Sequence, residues 1–256
     1  MRKLLCLLCA CVLLMTAGCG KKNDDDTALS EPPVTEEVTP TPTPTPEPFQ
    51  ALVPESPAVA SEWFDDALFI GDSVTLGLSL YCGENLGKAQ FLCAGSMSAT
   101  NLLSGLIVPT FQGQSVSLAE GVTMSGASKI YIMLGMNNIA FGVDEAAADM
   151  LTVISQVLEA NPDVTIIIQS VTPMASTSNI AGRDLNNDNI RAYNAKMQEL
   201  CQENEWYFVN VAEVMTGEDG CLRTDVCSDP NDMGIHVSAA GVAVWIDYLK
   251  THTPAL

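Results

Sequence analysis

Five short apolar runs punctuate the second three-quarters of the chain, each followed by small or polar residues and then a helical pattern. They are Ala67–Ile70, Gln90–Cys93, Ile130–Leu134, Thr165–Gln169 and Tyr207–Val211. The third and fourth are continuously apolar rather than alternating, which fits strands covered on both faces, as in a parallel sheet. Between them apolar residues recur at helical spacing. Val143–Ala160 carries Met150, Leu151, Ile154, Val157 and Leu158 and stops at Asn161-Pro162. Asp184–Asn204 aligns Ile190, Tyr193, Met197 and Leu200, and Ser238–Leu249 aligns Val242, Trp245, Ile246 and Leu249. Strands alternating with helices predict a three-layer α/β/α sandwich around a five-stranded parallel sheet.

The first quarter reads differently. Met1-Arg2-Lys3 is positive and Leu4 to Ala17 is nearly all apolar, shorter than the ~20 residues of a spanning helix, so residues 1–18 read as a signal peptide. Residues 19–60 include the Thr-Pro repeat from Thr39 to Pro46, where proline at alternate positions forbids helix and favours an extended, solvated spacer. This leaves 61–256 as one domain by length.

Composition then narrows the function classes. The 256-residue chain has a formal net charge of −20, and from Ser61 onward seven Lys or Arg stand against 23 Asp or Glu. Such a balance argues against nucleic acid and against direct binding to an anionic membrane face. Five of the nine cysteines fall in the domain, at 82, 93, 201, 221 and 227, without Cys-x-x-Cys spacing, so no metal site is expected. Pairing of Cys221 with Cys227 and five small buried thiols are both open readings.

The candidate chemistry sits where strands hand over to helices. Gly71-Asp72-Ser73 follows the first run, and Val74, Leu76, Leu78 and Leu80 begin a helix after it. A serine there stands at the sheet edge where open α/β folds bind ligands, beside helix N–H groups that favour developing negative charge. Acyl transfer by serine further needs a base, an orienter for the base and oxyanion donors. Two histidines are present; His252 lies in a polar tail, while His236 precedes the last helix and is the candidate base. Ala94-Gly95-Ser96 after the second strand and Gly135-Met136-Asn137-Asn138 after the third can supply donors.

These blocks resemble the SGNH hydrolases of the GDSL esterase and lipase superfamily. The matching residues are Phe69-Ile70-Gly71-Asp72-Ser73-Val74-Thr75-Leu76-Gly77, Gly95, Gly135-Met136-Asn137-Asn138 and His236. The resemblance implies a Ser73 nucleophile, a His236 base and an oxyanion hole from the Ser73 N–H, the Gly95 N–H and the Asn137 side chain. The family's last block is Asp-x-x-His, yet Met233 stands in the aspartate's place. Asp232, four before His236, is the preferred orienter; Asp229, seven before, and a backbone carbonyl are the alternatives. Thr16-Ala17-Gly18-Cys19 similarly resembles the lipobox of bacterial lipoproteins, implying lipid on Cys19 and a tether to the outer face of the membrane; a secretory signal cut near Ala17 is the alternative. The expectation is a membrane-anchored extracellular serine esterase, without cofactor, that removes short acyl groups, chiefly acetyl, from small-molecule or polysaccharide esters. An O-acyltransferase and a non-catalytic glycan-binding module, the latter favoured by Met233, are its rivals.

Overall fold

In each central strand, successive side chains are buried on opposite sides of the sheet. The computed structural model describes residues 48–180 and 182–256. Its strands and helices in chain order are β1 (Ala67–Gly71), α1 (Ser73–Tyr81), β2 (Gln90–Cys93), α2 (Ala99–Leu103), β3 (Thr110–Phe111), β4 (Gln114–Ser115), α3 (Leu118–Ser125), β5 (Lys129–Met133), α4 (Val143–Ala160), β6 (Thr165–Gln169), α5 (Asn187–Asn204), β7 (Tyr207–Val209), α6 (Ala212–Met215) and α7 (Ala239–Thr251). Five strands form a parallel sheet in the order β2-β1-β5-β6-β7, and β3 pairs antiparallel with β4 in a separate hairpin.

Leu68, Ile70, Ile130, Ile132, Ile166 and Ile168 pack with residues of α2, α3, α4 and α5 in one core. Ala67, Phe69, Tyr131, Met133, Ile167 and Val209 pack with α1, α6 and α7 in the other. This two-sided burial is why β1, β5 and β6 read as unbroken apolar runs. β1 is flanked by β2 on one side and β5 on the other, so the chain reverses its direction of travel across the sheet next to β1, and the crevice at that reversal lies outside the strands' C-terminal ends.

The expected elements appear with small shifts. Helix α4 spans the residues anticipated, and α5 starts three residues late because Asn186 caps it, accepting the Asn189 N–H at 2.9 Å. β5 begins at Lys129 rather than Ile130; the Lys129 ammonium is paired with Asp66 and lies 4.9 Å from the Trp63 ring centre, which lets a charge enter a buried strand.

The signal peptide expected over 1–18, Cys19 and the spacer up to residue 47 lie outside the described residues. The domain boundary expected at Ser61 is corrected by the described segment before it, which packs on the domain from Phe49 onward. Ala51 and Val53 are buried, Leu52 bridges Phe208 in parallel, and Val53 N–H donates to Phe208 O at 3.0 Å. Further on, Ser56 N–H and Val59 N–H donate to Thr251 O and Lys250 O. Proline richness led the reading of the spacer past the point where apolar residues again find a partner, the free edge of β7.

Gly71 is needed for space. A Cβ there would sit 1.9 Å from Thr75 Oγ1 and 2.8 Å from Met133 O, a backbone atom. Gly71→Ala is therefore expected to lower stability by roughly 3 kcal/mol through overpacking, read as a drop in urea midpoint at unchanged slope.

Candidate active site

Ser73 opens α1 directly beyond β1, and Asp72 before it caps that helix, its Oδ1 accepting the Val74 N–H at 2.9 Å. The serine thus stands at the positive end of the helix dipole. His236 arrives from the far end of the domain, on the loop before α7, and its Nε2 lies 3.0 Å from Ser73 Oγ. Its Nδ1 lies 2.6 Å from Asp229 Oδ2, and Asp229 Oδ1 accepts the His236 backbone N–H at 3.0 Å. A carboxylate can only accept, so the proton belongs on Nδ1 and Nε2 is left to accept from the serine hydroxyl.

Asp229, and not the preferred Asp232, orients the base. The loop between them doubles back: Asp232 N–H and Gly234 N–H both donate to Asp229 O at 3.0 Å, and Gly234 adopts φ +65°. Ser228 N–H donates to His236 O at 2.9 Å, and Cys227 bridges Val237 in an antiparallel pair, closing a clasp with Asp229 and His236 inside. Asp232 is left exposed on its outer turn. The usable signal was the turn-rich stretch Asp229-Pro230-Asn231-Asp232, which reverses the chain and makes linear spacing a poor measure of proximity.

Burial raises the Asp229 pKa, but hydrogen bonds from the His236 ring and backbone outweigh it and hold the carboxyl below its ordinary value. The group stays ionised where the histidine must carry a proton. Cys227 Sγ lies 3.5 Å from Asp229 Oδ1, and Cys82, Cys93, Cys201, Cys221 and Cys227 are all free thiols.

The oxyanion candidates gather around the same crevice. Ala94 N–H donates to Gly71 O at 3.3 Å, tying the loop after β2 to the end of β1, and a Cβ on the exposed Gly95 would meet no atom within 4 Å. Asn137 Nδ2 donates to Met97 O at 3.0 Å and Asp72 Oδ2 at 3.2 Å, which fixes the amide beside the nucleophile's neighbour.

A model of the GDSL-like lipase/acylhydrolase family matches residues 69–244. The chain belongs to that family. The assignment brings with it an ester-hydrolase activity and covers Ser73, Gly95, Asn137, Asp229 and His236 within one matched segment. No curated protein matches the chain. Among solved structures, a GDSL-like lipase from Bacteroides thetaiotaomicron is 18% identical, with 74% of this chain and 87% of that chain covered and a TM-score of 0.57. The C-terminal catalytic domain of peptidoglycan O-acetyltransferase A from Streptococcus pneumoniae is 15% identical over 73% of this chain and 92% of that one, with a TM-score of 0.51. At these identities the likeness is one of fold.

Asp72 was expected only as part of the serine motif, and it proves to be a buried carboxyl touching both α1 and Asn137. Burial pushes its pKa from 3.8 up to about 6, against the Val74 N–H and the nearby His236, which lower it. The folded value lies above the unfolded one, so this group's contribution to stability is complete below about pH 4 and is lost as pH rises through about 6. Asp72→Asn retains an oxygen for Val74 and cannot ionise. Relative to Asp72→Asn, the wild type should lose on the order of 3 kcal/mol between pH 4 and 7, measured as the difference between their unfolding profiles.

Proposed function

We propose that the chain is a serine ester hydrolase that works outside the cell, tethered by lipid on Cys19, and removes acetyl groups from carbohydrate esters. The observation that carries the chemistry is the relay Ser73–His236–Asp229, with contacts of 3.0 and 2.6 Å. Ser73 Oγ attacks the ester carbonyl while His236 Nε2 takes its proton, and Asp229 stabilises the imidazolium. The Ser73 and Gly95 N–H groups and Asn137 Nδ2, turning one N–H from its present acceptor, stabilise the oxyanion. Collapse expels the alcohol with the proton from His236, leaving an acyl-Ser73 ester. Water then attacks that ester, again with His236 as base, and releases the acid. Every step uses groups of this chain and water.

The half-exposed site, with Gly95 facing open space, suits a small acyl group on a bulky alcohol. The leader-like residues 1–18, the cysteine that follows and the Thr-Pro spacer support a tether at the outer membrane face. The acetyltransferase reading shares the same acyl-enzyme and differs only in whether a sugar hydroxyl replaces water. The binding-module reading loses its main support, because Asp229 fills the role that Met233 cannot.

A fluorophosphonate probe should label the wild type at Ser73 and leave Ser73→Ala unlabelled, and p-nitrophenyl acetate should be hydrolysed only by the former. A folded wild type that neither labels nor turns over would overturn the reading. Faster acetyl transfer to an added glycan than to water would turn it to the transferase.

A further inference from the structure

Beside the oxyanion-hole asparagine, α2 and the start of α4 enclose a cavity of about 430 Å³ lined by Thr100, Asn138, Phe141, Glu145, Ala146 and Asp149. Asn138 directly follows Asn137, and Thr100 lies on the helix that the Gly95 loop enters, so two of the lining residues are close in the chain to the oxyanion candidates. Its volume falls within the range of small-ligand pockets.

The lining is unlike an acyl-chain slot. Phe141 stands at the cavity and is 75% exposed, an aromatic residue held in water. Glu145 and Asp149 are four residues apart on α4 and share one face, and Thr100 Oγ1 donates directly to Asp149, joining α2 to α4 at the wall. Asn138 is 2% exposed, and its amide oxygen and nitrogen have no partner among the described residues. An alkyl tail would strip water from two carboxylates without replacing it. A sugar ring has what the wall lacks: C–H faces that cover an aromatic, hydroxyl donors for Glu145, Asp149 and the Thr100 oxygen, and hydroxyl oxygens for the Asn138 amide N–H.

We infer that this cavity is a subsite for a neutral sugar ring, the alcohol part of the ester or its neighbour in the polymer. The subsite rests on the esterase reading only for what it delivers; its sugar binding stands apart from the chemistry. Phe141 stacks on the ring and Glu145 fixes its hydroxyls, which holds the acetylated oxygen against Ser73.

Two measurements test it on the full chain. With O-acetylated xylo-, manno- and chito-oligosaccharides as probes, Phe141→Ala and Glu145→Gln should raise KM for at least one series by roughly tenfold or more. Their turnover of p-nitrophenyl acetate, which has no sugar, should stay within about twofold of wild type. Equal losses on both substrates would make the residues structural, and no loss on either would empty the subsite; both overturn the inference. Titration of the same oligosaccharides into Ser73→Ala by NMR separates binding from catalysis. Binding lost in Ser73→Ala/Phe141→Ala supports the subsite even if the wild type hydrolyses nothing, in which case only the esterase reading fails. No binding by any series, or tighter binding of acetylcholine that Glu145→Gln abolishes, overturns the sugar assignment.

Discussion

Asp229→Asn is expected to lower kcat for p-nitrophenyl acetate by about 10³- to 10⁴-fold, while Asp232→Ala stays within about twofold of wild type. The carboxylate does two things. It accepts the His236 Nδ1 proton at 2.6 Å and the His236 backbone N–H at 3.0 Å, so it fixes both the tautomer and the place of the ring. An amide can present its nitrogen to Nδ1, which favours the tautomer with the proton on Nε2, facing Ser73 Oγ where a lone pair is required. It also brings no charge to stabilise the imidazolium. Asp232 touches neither ring nitrogen, and the backbone bonds around it do not depend on its side chain. Steady-state kinetics on the three proteins, with circular dichroism to check folding, decides between the two aspartates. A loss in Asp232→Ala that matched Asp229→Asn would show that the loop adopts another arrangement in solution.

The second large effect concerns stability. A protein beginning at Ser61 is expected to melt about 10–20 °C below one beginning at Glu47. The segment Pro48–Ala60 donates or accepts backbone hydrogen bonds at Val53, Ala51, Ser56 and Val59, and Gln202 holds it with its side chain through Ala51 N–H and Phe49 O. Phe49 also lies 5.3 Å from the Tyr207 ring. At about 1 kcal/mol net for each of the four backbone hydrogen bonds and 1.5–3 kcal/mol for burying Val53, its removal costs roughly 6 kcal/mol. That is a large part of the ~5–15 kcal/mol by which domains are stable. It also uncovers the edge of β7, whose unpaired N–H and C=O groups invite pairing with other chains. Calorimetry and light scattering on the two fragments read both consequences, and equal melting temperatures would show that the segment is only laid against the surface.

What the sequence disclosed follows from how local each signal is. β1, β5 and β6 were legible because burial on both faces removes polar residues from the run, and α4 because eighteen residues give its stripe five turns to repeat. Helix α2, with five residues, and the β3–β4 hairpin, with two per strand, are too short for any period to show. Helix α3 was missed as well, although Ser117 and Glu120 form a capping box at its start. At the site, Ser73, Gly95, Asn137 and His236 could be placed because each sits within four residues of a strand's end or a helix's start. The orienting aspartate could not, because a turn decides its neighbours and a family spacing was read through it. Asp72 escaped notice for a different reason: its burial is a property of the packed crevice and leaves no trace in the order of residues.

The clasp from Cys227 to Val237 makes the base and its orienter a single mechanical part. Both ends of the relay's acidic half ride on eleven residues joined across their base, whereas the nucleophile belongs to the rigid junction of β1 and α1. Opening the clasp would withdraw His236 and Asp229 together, so the enzyme would switch between fully armed and fully disarmed molecules instead of passing through weakened ones. Heat inactivation could then run ahead of the melting of the sheet, and a population at intermediate temperature would contain fewer active copies, each working at full rate.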